Sequence, residues 1–226
     1  MNETQVKKSS PVLDFFKRLK NARETSLILI IVAICIVLSI TNPYFAKWAN
    51  IQTLLGSIAI NGILTIGMII VMISGGLDLS IGAVMCMSMA FSAKAITLGV
   101  PPILAILIGL AGAAVCGFII GQIVTRLNLS HFIVTLCFMG IARGVVYVMT
   151  SGISISLVAD LKTMPALAFI GSGYIGGMVP MSFVIFLVLA IAADLYARKS
   201  SGMRKVYYTG SNEMAAKHSG IKIDRV

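Results

Sequence analysis

Two charged side chains stand inside long apolar stretches of this sequence. Asp78 lies in the stretch ISGGLDLSIGAV, just after the pair Gly75 and Gly76, and Arg143 lies in FMGIARGVVYVMT. A charge at the centre of a bilayer costs at least ~2.5 kcal/mol even on insertion scales, so it should face protein or water. If these stretches span a membrane, both residues are candidates for a polar pathway.

The glycine pair before Asp78 predicts a break between two helices. Residues 51 to 96 would extend about 69 Å as one helix, roughly twice the thickness of a hydrocarbon core, so the chain must reverse near the middle. Adjacent glycines tolerate positive φ and lack β-carbons. We expect the reversal at residues 74 to 76, with Asp78 as an N-terminal residue of the next helix that caps its free N–H groups. The charge of Asp78 then has two explanations: it only caps the helix, or it also lines a polar pathway through the membrane.

The composition is that of an integral membrane protein. Hydrophobic residues make up 58% and charged residues 12% of the 226 residues, whereas soluble domains have roughly 45–50% and 25%. The stretches outside the apolar runs are each shorter than the ~40 residues that an independent core usually needs. We predict an all-α integral membrane protein, a polytopic helical bundle with about six transmembrane helices. The six apolar segments lie near 25–42, 51–73, 78–97, 101–125, 130–149 and 179–197.

The basic residues predict the orientation of the chain. Thirteen of the 18 Lys and Arg fall within residues 1–26 and 198–226. Basic residues flanking spans favour the cytoplasmic side, so both ends of this chain are expected there, which six crossings allow. The chain then divides into a cytoplasmic basic N-terminus (1–26), a transmembrane region (27–197) and a cytoplasmic segment (198–226). The net charge of +10 is thus a topology signal, and we expect no nucleic-acid partner.

This orientation argues against an ion pair between Asp78 and Arg143. Arg143 lies about 20 Å from the cytoplasmic start of its predicted helix, whereas Asp78 lies near the cytoplasmic turn. The pair would form only if the break lay deeper in the membrane. Snorkelling of Arg143 toward the outer interface is the alternative to a polar pathway.

Small residues recur every four positions in two of the predicted spans. Such stripes let another helix approach closely and favour a compact bundle. The positions are Gly109, Ala113, Gly117 and Gly121 in the fourth span and Gly140 and Gly144 in the fifth.

The stretch YYTGSNEMAAKHSGIKID predicts a short helix on the cytoplasmic side. Ser211 or Asn212 can cap its start, Glu213 stabilises its first turn, and Gly220 can end it. The stretch is either a solvated linker or a docking surface for a soluble partner.

Enzymatic chemistry has no support in the sequence. It contains no phosphate-binding loop, HExxH or GxSxG motif, and its four cysteines sit singly in apolar runs. We assign no catalytic residue and no metal site, and we expect neither His131 nor His218 to have a catalytic or metal-binding role. The protein is predicted not to be an enzyme.

Three segments of this chain resemble the ribose-type, carbohydrate-uptake permeases of bacterial ATP-binding-cassette importers. They are ISGGLDLSIGAV, FIVTLCFMGIARGVVYVMTSG and TGSNEMAAKHSGI, in this order and at similar spacing. The third is similar to the cytoplasmic loop that forms a coupling helix in this family. The resemblance implies that Asn212, Glu213, Ala215, Ala216 and Gly220 contact the ATPase subunit. It also implies a translocation path or helix break, to which we assign Gly75, Gly76, Asp78, Ser80, Asn61 and Arg143.

The resemblance further implies the assembly and the cargo. We expect a permease in the bacterial inner membrane that passes a monosaccharide, with an ABC ATPase subunit, a periplasmic sugar-binding protein, a second permease copy and the lipid bilayer as partners. No cofactor is expected, since ATP is bound by the ATPase. There are two alternatives. One is an importer of nucleosides or of an autoinducer-type sugar derivative with the same architecture, and the other is a non-transporting membrane scaffold. Members of the family continue through further spans after this loop, so we expect a fragment or a natural truncation.

Overall fold

The computed structural model describes residues 24–157, 162 and 164–223. Most of the predicted basic N-terminus therefore lies outside the described residues. The chain divides into two compact units, residues 1–53 and 54–226.

Among its described residues, 24–53, the first unit contains one complete helix, α1 (Glu24–Thr41), which is apolar. Its side chains are largely exposed, with Leu29 at 63% and Ile31 at 60%. A turn follows, in which the Tyr44 backbone N–H donates to Asn42 Oδ1 at 2.9 Å and Lys47 Nζ lies 4.2 Å from the centre of the Tyr44 ring. Helix α2 (Trp48–Ile73) begins in this unit and continues into the next.

In the part of the second unit that the structure describes, the regular elements are helices and one small hairpin. Its remaining elements are α3 (Ile81–Thr97), α4 (Pro102–Leu127), α5 (His131–Thr150), α6 (Pro165–Ser172), β1 (Tyr174–Ile175), β2 (Val179–Pro180), α7 (Met181–Lys199), α8 (Ser201–Ser211) and α9 (Glu213–His218). The two strands are antiparallel, with Tyr174 opposite Pro180.

All six predicted spans are helices in the structure. Helices α2, α4, α5 and α7 are long and apolar enough to cross a membrane, and α1 and α3 are shorter apolar helices. Large aliphatic side chains such as Ile103 (77% exposed) and Val148 (80%) lie on the outside of these helices. A hydrocarbon environment accepts such surfaces without cost, so the chain is a multi-pass, essentially all-α membrane protein.

The sequence analysis missed two pieces of structure. Helix α6 and the hairpin occupy part of a region that it left without elements, and α8 precedes the one cytoplasmic helix that it predicted. The signal for α8 was present: Ser200 accepts hydrogen bonds from the N–H groups of Gly202 and Met203 as an N-cap, and its apolar or small residues Met203, Val206, Tyr207 and Gly210 follow helical spacing.

Helices α3, α4 and α5 pack closely through small residues. Ala83 and Ala142 are buried together with Met87, and a β-carbon on Gly109 would lie on Ser92 Oγ. The stripe prediction is thus confirmed at Gly109. Within the described residues, a β-carbon at Gly117, Gly121, Gly140 or Gly144 would have no atom within 4 Å, so these positions make no close helix contact in this chain.

Candidate functional site

The break between α2 and α3 is a glycine-terminated helix end. Gly75 has φ +90°, and its N–H donates to Met72 O at 3.0 Å, while Gly76 N–H donates to Val71 O at 3.0 Å. This pair of bonds is a Schellman motif, which satisfies the last carbonyls of a helix and favours glycine at the left-handed position. The helix break expected at residues 74 to 76 is present.

The sequence analysis expected Asp78 to be an N-terminal residue of α3, but the helix begins later, at Ile81. Asp78 lies three residues before Ile81, and its Oδ1 accepts hydrogen bonds from Ser80 N at 2.7 Å and Ser80 Oγ at 2.6 Å. The short carboxylate closes a turn onto the residue two positions ahead, an arrangement for which aspartate is well suited. Ser80 holds the N-cap position, makes no side-chain cap bond and is fully buried. Asp78 therefore fixes the N-cap residue rather than capping the helix itself.

The break lies against the first turns of α5. A β-carbon on the buried Gly76 would lie 2.9 Å from His131 Cδ2, so a larger residue there would displace the histidine. The Thr135 hydroxyl, 1% exposed, lies 2.7 Å from His131 O and 3.3 Å from Leu77 O. His131 and Thr135 were not among the predicted site residues, because contacts between distant segments leave no local pattern.

Arg143 lies apart from the break. It is twelve residues beyond His131 on α5, about 18 Å along the helix axis, and within the described part of the chain the one ion pair joins Arg198 to Asp194 at 2.8 Å. The absence of a pair between Asp78 and Arg143 agrees with the sequence analysis.

Arg143 lines an open cavity of about 600 Å³ between α3, α5 and the segment after α5. Most of the lining is apolar, and Arg143, Tyr147, Thr150 and Ser154 contribute polar groups. The guanidinium is a multiple hydrogen-bond donor, so the cavity can accept hydroxyl or carboxylate oxygens.

Asn61 lies neither at the α2–α3 break nor in the cavity lined by Arg143. It is exposed on α2, and its Nδ2 donates to Ser57 O at 2.9 Å within the same helix. It precedes Ile73 by twelve residues, about 18 Å along the axis.

The short helix α9 has both of its predicted ends. Asn212 Oδ1 accepts from Ala215 N at 2.9 Å as the N-cap of α9. Gly220, at φ +80°, donates to Lys217 O at 3.0 Å, and Ile221 N–H donates to Ala216 O at 3.1 Å. A capped start and a Schellman end hold a helix of six residues that would not persist by propensity alone.

The two alanines of α9 differ in burial, although both line the same cavity beside α8. Ala216 is 3% exposed and, with Tyr208, lines a cavity of about 400 Å³ shared with α8. Ala216 is therefore buried within its own chain, whereas the resemblance implies that it contacts the ATPase subunit. Glu213, Ala215 and Lys217 are exposed, as is Met214 at 69%. The outer face of α9 is therefore free to contact another molecule.

Family comparison gives a match over most of the chain. Residues 50–226 match a family described as the permease component of the branched-chain amino acid transport system. The matched range begins in α2 and includes the break, the Arg143 cavity and α9.

Individual relatives are named as sugar import permeases. The chain is 38% identical over 191 residues to the ribose import permease protein RbsC of Bacillus subtilis, covering 84% of this chain and 58% of that protein. It is 33% identical to RbsC of Haemophilus influenzae, and the match covers 90% of this chain and 62% of that protein. It is 34% identical to the fructose import permease protein FruF of Bifidobacterium longum, and the match covers 71% of this chain and 44% of that protein.

The chain spans about three fifths of the length of the ribose permeases that it matches. No solved structure matches it.

Proposed function

This chain belongs to the family of permease components of branched-chain amino acid transport systems, and we propose that it forms part of the translocation path of an ATP-driven importer of a monosaccharide. The observation that carries the proposal is its 38% identity, over 84% of the chain, to a protein named as a ribose import permease. The names of the Haemophilus and Bifidobacterium relatives point to the same substrate class.

The path is formed by the membrane helices around two polar places. One is the break with Gly75, Gly76, Asp78 and Ser80, and the other is the cavity lined by Arg143. Hydroxyl-rich solutes need hydrogen-bonding groups along an otherwise apolar route, and guanidinium, phenol and hydroxyl groups provide them in this cavity. His131 lies against the break, and Arg143 lines the cavity about 18 Å farther along α5. This spacing fits two successive polar sites along one translocation path.

The energy for transport comes from a separate ATPase subunit that docks on α9. The preformed, capped helix with an exposed Glu213–Met214–Ala215 face supports this role, because a rigid projection binds with less loss of conformational entropy than a linker. The permease itself binds no ATP and carries no cofactor.

The assembly includes a second permease copy and a periplasmic sugar-binding protein that delivers the solute. It lies in the bacterial inner membrane, with both ends of this chain in the cytoplasm. The basic residues Arg198, Lys199, Arg204 and Lys205 at the end of α7 and in α8 support this orientation under the positive-inside rule.

Amino acid import is the second candidate, because the family description names branched-chain amino acids. Nucleosides and autoinducer-type sugar derivatives are further possible cargoes of the same architecture, and a non-transporting scaffold is the alternative from another class.

Uptake by intact cells separates these candidates. A strain lacking the full-length permease is compared with its parent for uptake of labelled ribose, fructose, nucleosides and leucine. We expect loss of uptake of one monosaccharide and its restoration by the full-length gene. Loss of leucine uptake alone would favour the amino acid importer, and unchanged uptake of every solute would contradict a transport role.

A further inference from the structure

The backbone of helix α8 meets the end of α2 at Gly210. An alanine methyl at position 210 would coincide with the carbonyl oxygen of Ile73, and it would also lie 2.8 Å from the Ile73 carbonyl carbon and 3.2 Å from that of Ser74. Only a residue without a side chain allows this approach. The two backbones are therefore in direct contact.

This contact falls at the point where the chain leaves α2. Ile73 is the last residue of α2, and Gly75, two positions later, turns the chain with φ +90°. The Ile73 carbonyl accepts no hydrogen bond from the described residues, so α8 faces a free end of the α2 backbone. A shift of α8 must displace the break or separate from it.

Helices α8 and α9 are joined through one residue. Asn212 N–H donates to Tyr208 O at 3.1 Å at the end of α8, while Asn212 Oδ1 accepts from Ala215 N at the start of α9. Tyr208 of α8 and Ala216 of α9 line the same small cavity. With no flexible linker between them, movement of α9 is passed to α8.

On its other side the break contacts α5. Gly76 lies against His131, and Leu77 O lies within hydrogen-bonding distance of the Thr135 hydroxyl. The contacts thus run without interruption from α9 through α8 and the break to the helix that carries Arg143.

Next to Gly210, the hydroxyl of Thr209 is buried and has no hydrogen-bond partner among the described residues. Helical threonines ordinarily bond a carbonyl of the preceding turn, as Thr135 and Thr150 do, and a buried hydroxyl without a partner is unfavourable. The unpaired hydroxyl therefore makes the packing at this point of α8 unfavourable, and a rearrangement that gives Thr209 a partner would be favoured.

We propose that Gly210 and Thr209 are positioning residues that transmit movement of the ATPase-docked α9 to the α2–α3 break. The inference rests on the proposed transport function. Gly210 supplies the backbone contact that moves the break, and Thr209 favours departure from the arrangement seen here. Asp78, Ser80 and Thr135 follow this movement because they belong to the break or bind it.

The test compares Gly210→Ala with Gly56→Ala in the assembled transporter containing the full-length permease. Both changes add a methyl group to a helical glycine, but no atom lies within 4 Å of a β-carbon at position 56. Three quantities are measured: recovery of the ATPase with the permease, ATP hydrolysis, and sugar uptake into vesicles. We expect Gly210→Ala to retain the first two and to lose about tenfold or more in uptake, with Gly56→Ala unchanged in all three.

The outcomes separate the two proposals. If the unmodified permease does not recover the ATPase, the proposed function fails and this inference with it. If ATPase recovery is normal and Gly210→Ala takes up sugar at the unmodified rate, only the inference is overturned.

Thr209→Val provides a second variant that keeps the shape of the side chain. It removes the unpaired hydroxyl, so we expect a higher unfolding temperature and slower uptake with ATPase recovery unchanged. Uptake and unfolding temperature equal to those of the unmodified protein would overturn the role of Thr209, including when Gly210→Ala does not fold.

Discussion

The hydroxyl of Thr135 lies 3.3 Å from the carbonyl oxygen of Leu77, joining two segments that are 58 positions apart in the sequence. The hydroxyl has one hydrogen and lies closer to His131 O, at 2.7 Å, so its approach to Leu77 is a secondary contact. Together with the contact between Gly76 and His131, it places the α2–α3 break against the start of α5. Asp78 is thereby placed beside a helix that also carries Arg143, although the two charges do not meet. The break is a defined tertiary junction rather than a simple turn between spans.

Loss of the Thr135 hydroxyl should destabilise this junction. Thr135→Val keeps the side-chain shape but leaves the Leu77 carbonyl without this partner in a buried place, so we expect a loss of about 1 kcal/mol. Thr125→Val is the matched control, because Thr125 is exposed and bonds only Gly121 O of its own helix. The stability of each variant is measured by thermal unfolding of the purified protein in detergent. Equal unfolding temperatures for the two variants would contradict the account of the junction.

The contact between Gly76 and His131 should appear as an energetic coupling. Gly76→Ala introduces a β-carbon 2.9 Å from His131 Cδ2, and His131→Ala creates room for it. We expect Gly76→Ala to destabilise the protein less in the His131→Ala background, with a coupling energy of about 0.5–3 kcal/mol in a double-mutant cycle. Gly82→Ala, where no atom lies within 4 Å, should show no coupling to His131. Additive effects of the Gly76 and His131 changes would mean that the two residues do not meet.

The charge of Asp78 should matter more to transport than to folding. Asp78→Asn keeps an oxygen that can accept from Ser80, so we expect a stability loss of a few tenths to about 1 kcal/mol but a clear fall in uptake by the full-length permease. Ser80→Ala removes the hydroxyl bond to Asp78 while keeping the charge, and its uptake should fall less. Normal uptake by Asp78→Asn would leave Asp78 with a structural role alone.

Both ends of the chain should be inaccessible from outside the cell. Ser211→Cys at the end of α8 and Ser10→Cys, which lies outside the described residues, are introduced after replacement of the four native cysteines. We expect neither to react with an impermeant reagent in intact cells, and both to react once the cells are opened. Ready labelling of either from outside would reject the six-crossing topology.

Local sequence signals predicted the elements of this protein well. Apolar length alone gave six helices, because a bilayer demands about 20 apolar residues for each crossing. Glycine chemistry predicted the break at Gly75 and the end of α9 at Gly220, since both need the left-handed conformation that other residues avoid.

The sequence was less informative about where those elements meet. Asp78 was expected to begin α3, but its carboxylate bonds Ser80 instead, and both placements obey the same preference of aspartate for N–H groups before a helix. The resemblance implied that Ala216 contacts the ATPase subunit, whereas it is buried within its own chain. The contacts of Thr135 with Leu77 and of Gly210 with Ile73 depend on packing between distant segments, which a single sequence does not encode locally.

The docking role of α9 is the claim on which the transport account depends most directly. Ala215→Trp places a large side chain at an exposed position of α9 that borders the open cavity shared with α8. Because this cavity leaves room for the ring, membrane insertion and unfolding should stay within about 0.5 kcal/mol of the unmodified protein. Ala216→Trp, in contrast, enters the packing between α8 and α9 and should destabilise them, so it cannot isolate docking. Lys205→Trp, at an exposed position of α8, is the control for a surface tryptophan.

The deciding measurement is recovery of the ATPase subunit with the full-length permease, at matched membrane levels, for the unmodified protein, Ala215→Trp and Lys205→Trp. We predict recovery with the unmodified protein and Lys205→Trp, and loss of recovery together with ATP-driven uptake for Ala215→Trp. Equal recovery of the ATPase by all three proteins would contradict the assignment of α9 as the helix that couples ATP hydrolysis to transport.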